Sequence, residues 1–230
     1  MNVSDANRPL RVFEKALNGG LGEGNIGVLM SRTGTGKLAV MTSIAIDHAL
    51  GGQQTLHVAL NESISDVRAY DDEVLHEMLE RLGVEDRAKV ATEVERNKQI
   101  YTYTDGNFTA TRMRTTLDLL KEHAQFRPRL IEIQNWPDFQ SVTMDEMSRL
   151  KNIAQEYKCE IWLTATSHDD NAPGQIPDYI SRFDEFFSVL VSLEPESKHV
   201  NLNILKSHDA TPPADTHLEF DPKSMLIRWR

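Results

Sequence analysis

The chain is short of several things that would narrow its function at once. It has one cysteine, Cys159, in 230 residues. An internal disulfide is therefore excluded, and a reducing compartment fits. With no partner residues that the sequence places beside it, Cys159 reads as a buried thiol. Basic charge is also scarce, with 25 Lys and Arg against 35 Asp and Glu and a net charge of −10. That balance argues against a dedicated nucleic-acid binder. No apolar run approaches membrane-spanning length, and MNVSDANRPLRVFEKAL lacks the apolar core of a signal peptide. The expectation is a cytoplasmic protein with no membrane association. Internal repeats and low-complexity stretches are absent as well.

What is present is an alternation. NIGVLM at 25–30 reads as a buried strand after the turn-rich GGLGEG, and KLAVMTSIAIDHAL at 37–50 has helical spacing and stops at Gly51-Gly52. TLHVAL (55–60) is a second strand, and a charged helix-prone stretch from Ile64 to about Lys98 follows, broken near Gly83. Further strands are expected at 99–103, 130–133 and 160–165, with helices at 109–124 and 143–157. Ser167–Pro177 is a polar loop. The end is strand-rich: 185–193, 199–206, and a hairpin of 218–220 with 225–229 around DPKS. Such an order predicts one α/β domain over 1–230, with a mostly parallel central sheet flanked by helices and antiparallel C-terminal strands. The segment 71–98 reads most simply as a solvated helical pair, and alternatively as a helical insertion placed to contact partners.

GVLMSRTGTGKLAV at 27–40 carries the chemistry. A strand, a glycine-bearing turn and a helix let backbone N–H groups and a helix N-terminus close around phosphate oxygens, with a lysine to neutralise them. Thr33, Gly34, Thr35, Gly36, Lys37 and Leu38 form the candidate anion-binding set. The phosphate-loop pattern is incomplete, because Ser31 stands at its first glycine and Leu38 where a hydroxyl should follow the lysine. A glycine turn capping an ordinary strand–helix unit is the plain alternative.

With its flanks, LNGGLGEGNIGVLMSRTGTGKLAVMTSIAIDHALGGQQTLHVALNES resembles the RecA-like ATPases, especially the KaiC branch. The C-terminal NLNILKSHDATPPADTHLEFDPKSMLIRW is similar to that family's closing strands. The resemblance implies a RecA-like phosphate-loop fold, ATP or another nucleotide as ligand, and a homo-oligomer or protein partner. Residue by residue, it carries over poorly. Gly36 and Lys37 match; Leu38 replaces the Mg²⁺-binding hydroxyl; and LIEIQNW puts Gln134 where the family has the Asp that assists the metal. LNES puts Asn61 at the position of the water-orienting glutamate, with Glu62 just after it. Lys206 matches the lysine that reaches a neighbouring subunit's nucleotide, and His208 stands in place of the arginine two residues on.

Phosphoryl transfer depends on positioning and charge stabilisation, so these losses together imply weak nucleotide binding, no Mg²⁺ held in the usual way and negligible hydrolysis. The implied function is a non-hydrolysing regulatory or scaffold module. The alternative is an ATPase that compensates with Glu62, Glu132 or groups from a neighbouring subunit. A strand-exchange or helicase motor follows from fold analogy alone, against the acidic charge. His168-Asp169-Asp170 and His208-Asp209 have metal-ligand residue types without supporting spacing, so a solvated loop is expected. Trp136 and Phe139 could stack on a base or partner, but core packing is the stronger reading.

Overall fold

In the computed structural model, residues 10–104, 106–167, 175–210 and 217–229 are described. The alternation read from the sequence is there. Strand β1 (Ile26–Ser31) leads into helix α2 (Lys37–Leu50), then β2 (Thr55–Leu60), α3 (Ile64–Arg81), α4 (Arg87–Asn97) and β3 (Lys98–Tyr103). Next come α5 (Ala110–His123), β4 (Leu130–Gln134), α6 (Met144–Tyr157), β5 (Glu160–Thr166) and the short α7 (Asp178–Ser181). The chain closes with β6 (Phe187–Pro195), β7 (Val200–Ser207), β8 (Leu218–Asp221) and β9 (Leu226–Trp229). A short helix α1 (Arg11–Ala16), not anticipated, precedes β1. The strand expected from 185 starts at Phe187, because Asp184–Phe186 forms a 3₁₀ turn first.

The strands form one nine-stranded sheet in the order β3-β2-β4-β5-β1-β6-β7-β8-β9. β3 to β6 run parallel along it, and β7, β8 and β9 are antiparallel additions. Strand residues alternate between two faces. Val28, Leu56, Val58, Ile131, Ile133 and Leu163 pack against Met113 and Leu117 of α5 and Met147, Leu150 and Ile153 of α6. On the opposite face Leu29, Leu130 and Trp162 meet Phe13 of α1 and Val40, Met41 and Ile44 of α2. α2 has both neighbours and sheet around it: residues 39–49 are all buried, and its far side receives Val74, Leu75 and Met78 of α3 and Val90 and Val94 of α4. Each such aliphatic side chain, fully buried, contributes about 1.5–3 kcal/mol.

The expectation for 71–98 needs correction at its two ends. Ser63 caps α3 by accepting from the Asp66 amide, Gly83 (φ 63°) follows its end, and Asp86 caps α4. Much of the outer surface of the pair is exposed, as a solvated pair requires. Asp71 and the side chain of Lys98, however, are buried. They point inward to the sheet, where their charges meet partners rather than water.

Candidate functional site

The loop joining β1 to α2 spans Arg32–Gly36, and Lys37 is the first helical residue. Gly34 (φ 80°) and Gly36 (φ 97°) both lie in the left-handed region, and Gly36 is the N-cap of α2. A glycine cap offers no side-chain acceptor. The first-turn N–H groups, which have no carbonyl partner within a helix, are thus free of a side-chain cap and face outward along the helix axis. Thr35 is buried and spends its hydroxyl on the Arg32 carbonyl at 3.0 Å. Lys37 folds back over the loop, donating to the Ser31 carbonyl (2.9 Å), the Ser31 hydroxyl (3.2 Å) and the Arg32 carbonyl (3.0 Å). Burial pulls its pKa down to about 8.

A cavity of about 860 Å³ opens beside this loop. Thr33, Gly34, Gly36, Lys37 and Leu38 form one wall; Gln134 and the segment after it form the facing wall, with Tyr70, Thr164 and Thr166 between them. It lies at the carboxyl ends of β1, β4 and β5, where open α/β sheets receive ligands. Five of the six loop candidates border it; Thr35 is turned into the loop. Leu38 is half-buried, leaning on the α1/α2 cluster while its outer side borders the cavity. It supplies no oxygen.

The other candidates are spread. Glu62 accepts from the Asn135 amide at 3.2 Å, and it is not among the cavity-lining residues. Asn61 and Asn135 both adopt left-handed φ, 61° and 62°, where β2 and β4 end. Lys206 is paired within its own chain, 2.8 Å from both the Asp184 carbonyl and its carboxylate. The His208 ring nitrogen Nε2 lies 3.0 Å from the Gly20 carbonyl, so it donates there, and His208-Asp209 gathers no further ligand-type side chains among the described residues. His168-Asp169-Asp170 lies outside the described residues. Phe139 is buried against Phe183 and Phe187, as the core reading expects, and Trp136 meets Phe108 edge-on at 4.9 Å; both also border the cavity. Cys159 is buried, and burial pushes its thiol up to about 12.

Behind Gln134 lies a cluster the sequence reading did not assemble. His57 of β2 is fully buried, its Nδ1 3.2 Å from Asp71 Oδ1 of α3 and 3.2 Å from Glu132 Oε1 of β4. Lys98 of β3 places its ammonium 2.8 Å from Asp71 and 3.2 Å from Glu132. Thr42 of α2 donates to Glu132 at 3.3 Å, and the other ring nitrogen of His57 lies 3.1 Å from Gln134 Oε1. Burial works against charge on His57, but the Glu132 carboxylate and the Asp71 hydrogen bond outweigh it and raise its pKa. Lys98 is likewise raised: burial opposes its charge, and Glu132 and Asp71 override it. For Asp71 burial acts upward, while the His57 hydrogen bond and Lys98 bring its pKa down.

His57, Asp71 and Glu132 have the donor types of a metal site. The Lys98 ammonium lies against both carboxylates and stands where a cation would sit between them, so the cluster reads as an ion-pair network and not as a metal site. Glu132 is thereby committed to structure and is unavailable as a base at the cavity. The signal for this cluster was the period-two pattern: Thr55 and His57, Glu132 and Gln134, and Lys98 are alternate residues of their strands, on the face opposite Leu56, Val58, Ile131 and Ile133. In TLHVAL and LIEIQ the polar residues all fall in one phase.

A scan against protein-family models and a search of the curated proteins both find no match to this chain.

Proposed function

We propose that the cavity beside Lys37 is a binding site for phosphate groups, as of a nucleotide, in a RecA/KaiC-like module that does not hydrolyse ATP and acts through oligomer or protein-partner contacts. The observation that carries this reading is the juxtaposition of Lys37 and the uncapped N-terminus of α2 on one wall of an open cavity. Backbone N–H groups and a lysine attract phosphate whatever residue stands at position 38. The Mg²⁺ that the family resemblance implies does not fit the residues present. Leu38 offers no ligand atom, and the Gln134 oxygen is engaged by His57. The competing reading is an ATPase using Glu62, Glu132 or groups from a neighbouring subunit; of the two carboxylates in this chain, one is outside the cavity lining and the other is locked to Lys98.

Calorimetric titration with ATP, with and without Mg²⁺, tests this. Weak binding that hardly responds to Mg²⁺ and is lost in Lys37→Ala is expected. Absence of binding at millimolar ATP would make the loop an ordinary strand–helix turn. Strong enhancement by Mg²⁺ would restore a metal site and overturn the reading of Leu38 and Gln134.

A further inference from the structure

We propose that Gln134 presents its side-chain NH₂ to the cavity as a hydrogen-bond donor for the bound anion, and that His57 is the positioning residue that holds the amide in this orientation. The inference rests on the phosphate-site reading above and assigns the group that takes the place of the metal.

The geometry sets up a two-way choice. His57 Nδ1 faces carboxylate oxygens of Asp71 and Glu132, which accept and cannot donate, so Nδ1 carries a proton. The other ring nitrogen faces the Gln134 side chain. If that nitrogen is protonated, the amide must offer its oxygen, and the NH₂ on the same carbon turns toward the cavity that Gln134 lines. If it is a bare lone pair, the amide flips and an oxygen faces the anion instead.

Charge decides between the two. The groups facing His57 are Asp71 from α3, Glu132 and Gln134 from β4, and Lys98 from β3, with the neutral Thr42 of α2 on Glu132. Two carboxylates against one ammonium leave a buried net charge of −1, and a protonated His57 brings the cluster to zero. Uncompensated buried charge is costly, so the imidazolium is the stable form. The raised pKa of His57 points the same way. A charged ring needs an acceptor on Nε2, and the Gln134 oxygen is the atom placed there. The outcome is an N–H donor at the position where a carboxylate would hold Mg²⁺, which selects for an anion that comes without a divalent cation. As pH rises through the His57 transition the amide flips, and the donor becomes an acceptor that repels phosphate oxygens.

Titration of ATP in EDTA, at pH values below and above the His57 transition as ¹⁵N NMR of the ring locates it, tests the wild type beside Gln134→Leu, Gln134→Glu and Lys37→Ala. Gln134→Leu should weaken binding by about tenfold or more, the loss typical of one hydrogen bond to a charged group. It should also abolish the His57 step in the pH dependence of affinity. Gln134→Glu should weaken binding further, by setting a carboxylate against the phosphates. Independently of any variant, ¹⁵N NMR of the wild-type ring should show both His57 nitrogens protonated at pH 6.5. An unprotonated Nε2 there overturns the proposal. So does ATP binding that is lost in Lys37→Ala but unchanged in Gln134→Leu, which leaves the phosphate site standing. A wild type that binds no ATP at millimolar concentration removes both readings.

Discussion

Lys37 and Lys98 are two lysines in one fold with opposite fates, and the difference is what surrounds each ammonium. Lys98 has two carboxylates within 3.2 Å, whereas Lys37 has carbonyl and hydroxyl oxygens and a pKa lowered to about 8 by burial. A bound phosphate would raise the Lys37 pKa again. Binding should therefore take up a proton above pH 8, and affinity should fall as pH rises through that value; calorimetry in buffers of different ionisation enthalpy reads this directly. Lys98→Met should lower unfolding free energy by about 3–5 kcal/mol, the range for removing one partner of a buried ion pair, as measured by urea denaturation. The pH dependence of stability follows from the same cluster. The folded His57 has a raised pKa, so its stabilisation is complete below its unfolded value and is lost as pH rises through the folded one. Asp71 behaves oppositely, its lowered pKa giving stabilisation that is lost as pH falls through the folded value. Unlike the contacts of Lys37 with Ser31 and Arg32, the partnerships of the His57 cluster are not local. His57 and Asp71 are 14 residues apart and His57 and Gln134 are 77 apart, so the strands' polar phase marks a shared face and does not name the partners.

At the scale of elements, two glycines of the β1–α2 unit are needed for different reasons. At Gly36 the backbone has φ 97° and a Cβ would meet nothing within 4 Å, so conformation is the constraint. At Gly27 a Cβ would fall 2.6 Å from the Trp162 ring on the adjoining strand β5, so space is the constraint. Gly36→Ala should cost about 1–2 kcal/mol through left-handed backbone strain and weaken ATP binding, since it distorts the helix N-terminus. Gly27→Ala should cost about 1–3 kcal/mol through overpacking and leave ATP affinity nearly unchanged. Denaturation and calorimetry on the same two variants separate the effects. The strand–turn–helix itself was legible, because an apolar run, two glycines and a helical repeat are all local signals. The 3₁₀ turn at Asp184–Phe186 was not, because DEF continues into the apolar FSVLVSL without a breaker.

For the whole molecule, the proposed loss of hydrolysis is a statement about several elements at once. α2 supplies Lys37 and Leu38, β4 supplies Gln134, and the turn after β2 supplies Asn61 and Glu62. Purified protein with Mg²⁺ and ATP should release phosphate far more slowly than about 1 s⁻¹, the low end for ordinary enzymes. Turnover at that rate that also disappears in Lys37→Ala would contradict it. The family resemblance further implies self-association, with Lys206 reaching across to a neighbour. Within one chain Lys206 is already paired with Asp184, so assembly would have to exchange that exposed pair. Light scattering at high protein concentration, with and without ATP, should show a species larger than the monomer; a monomer under both conditions counts against the oligomer.

The order of strands and helices, the position of the loop and the parallel-then-antiparallel arrangement were in the sequence by itself. Each depends on hydrophobic period and turn residues that act over a few positions. That Leu38 carries no hydroxyl and Gln134 no carboxylate could be read there too, since it needs only residue identity. What Gln134 does instead was decided by tertiary structure. Adjacent parallel strands put His57 beside Glu132 and within reach of Gln134, and packing of α3 and β3 added Asp71 and Lys98. The charge balance that sets the ring's protonation, and with it the face the amide shows the cavity, exists once those four elements come together. The segment from Asp71 to Lys98 looked solvated because helical charges usually are. The side chains at its two ends are buried instead, and their opposite charges meet at 2.8 Å only in the folded sheet.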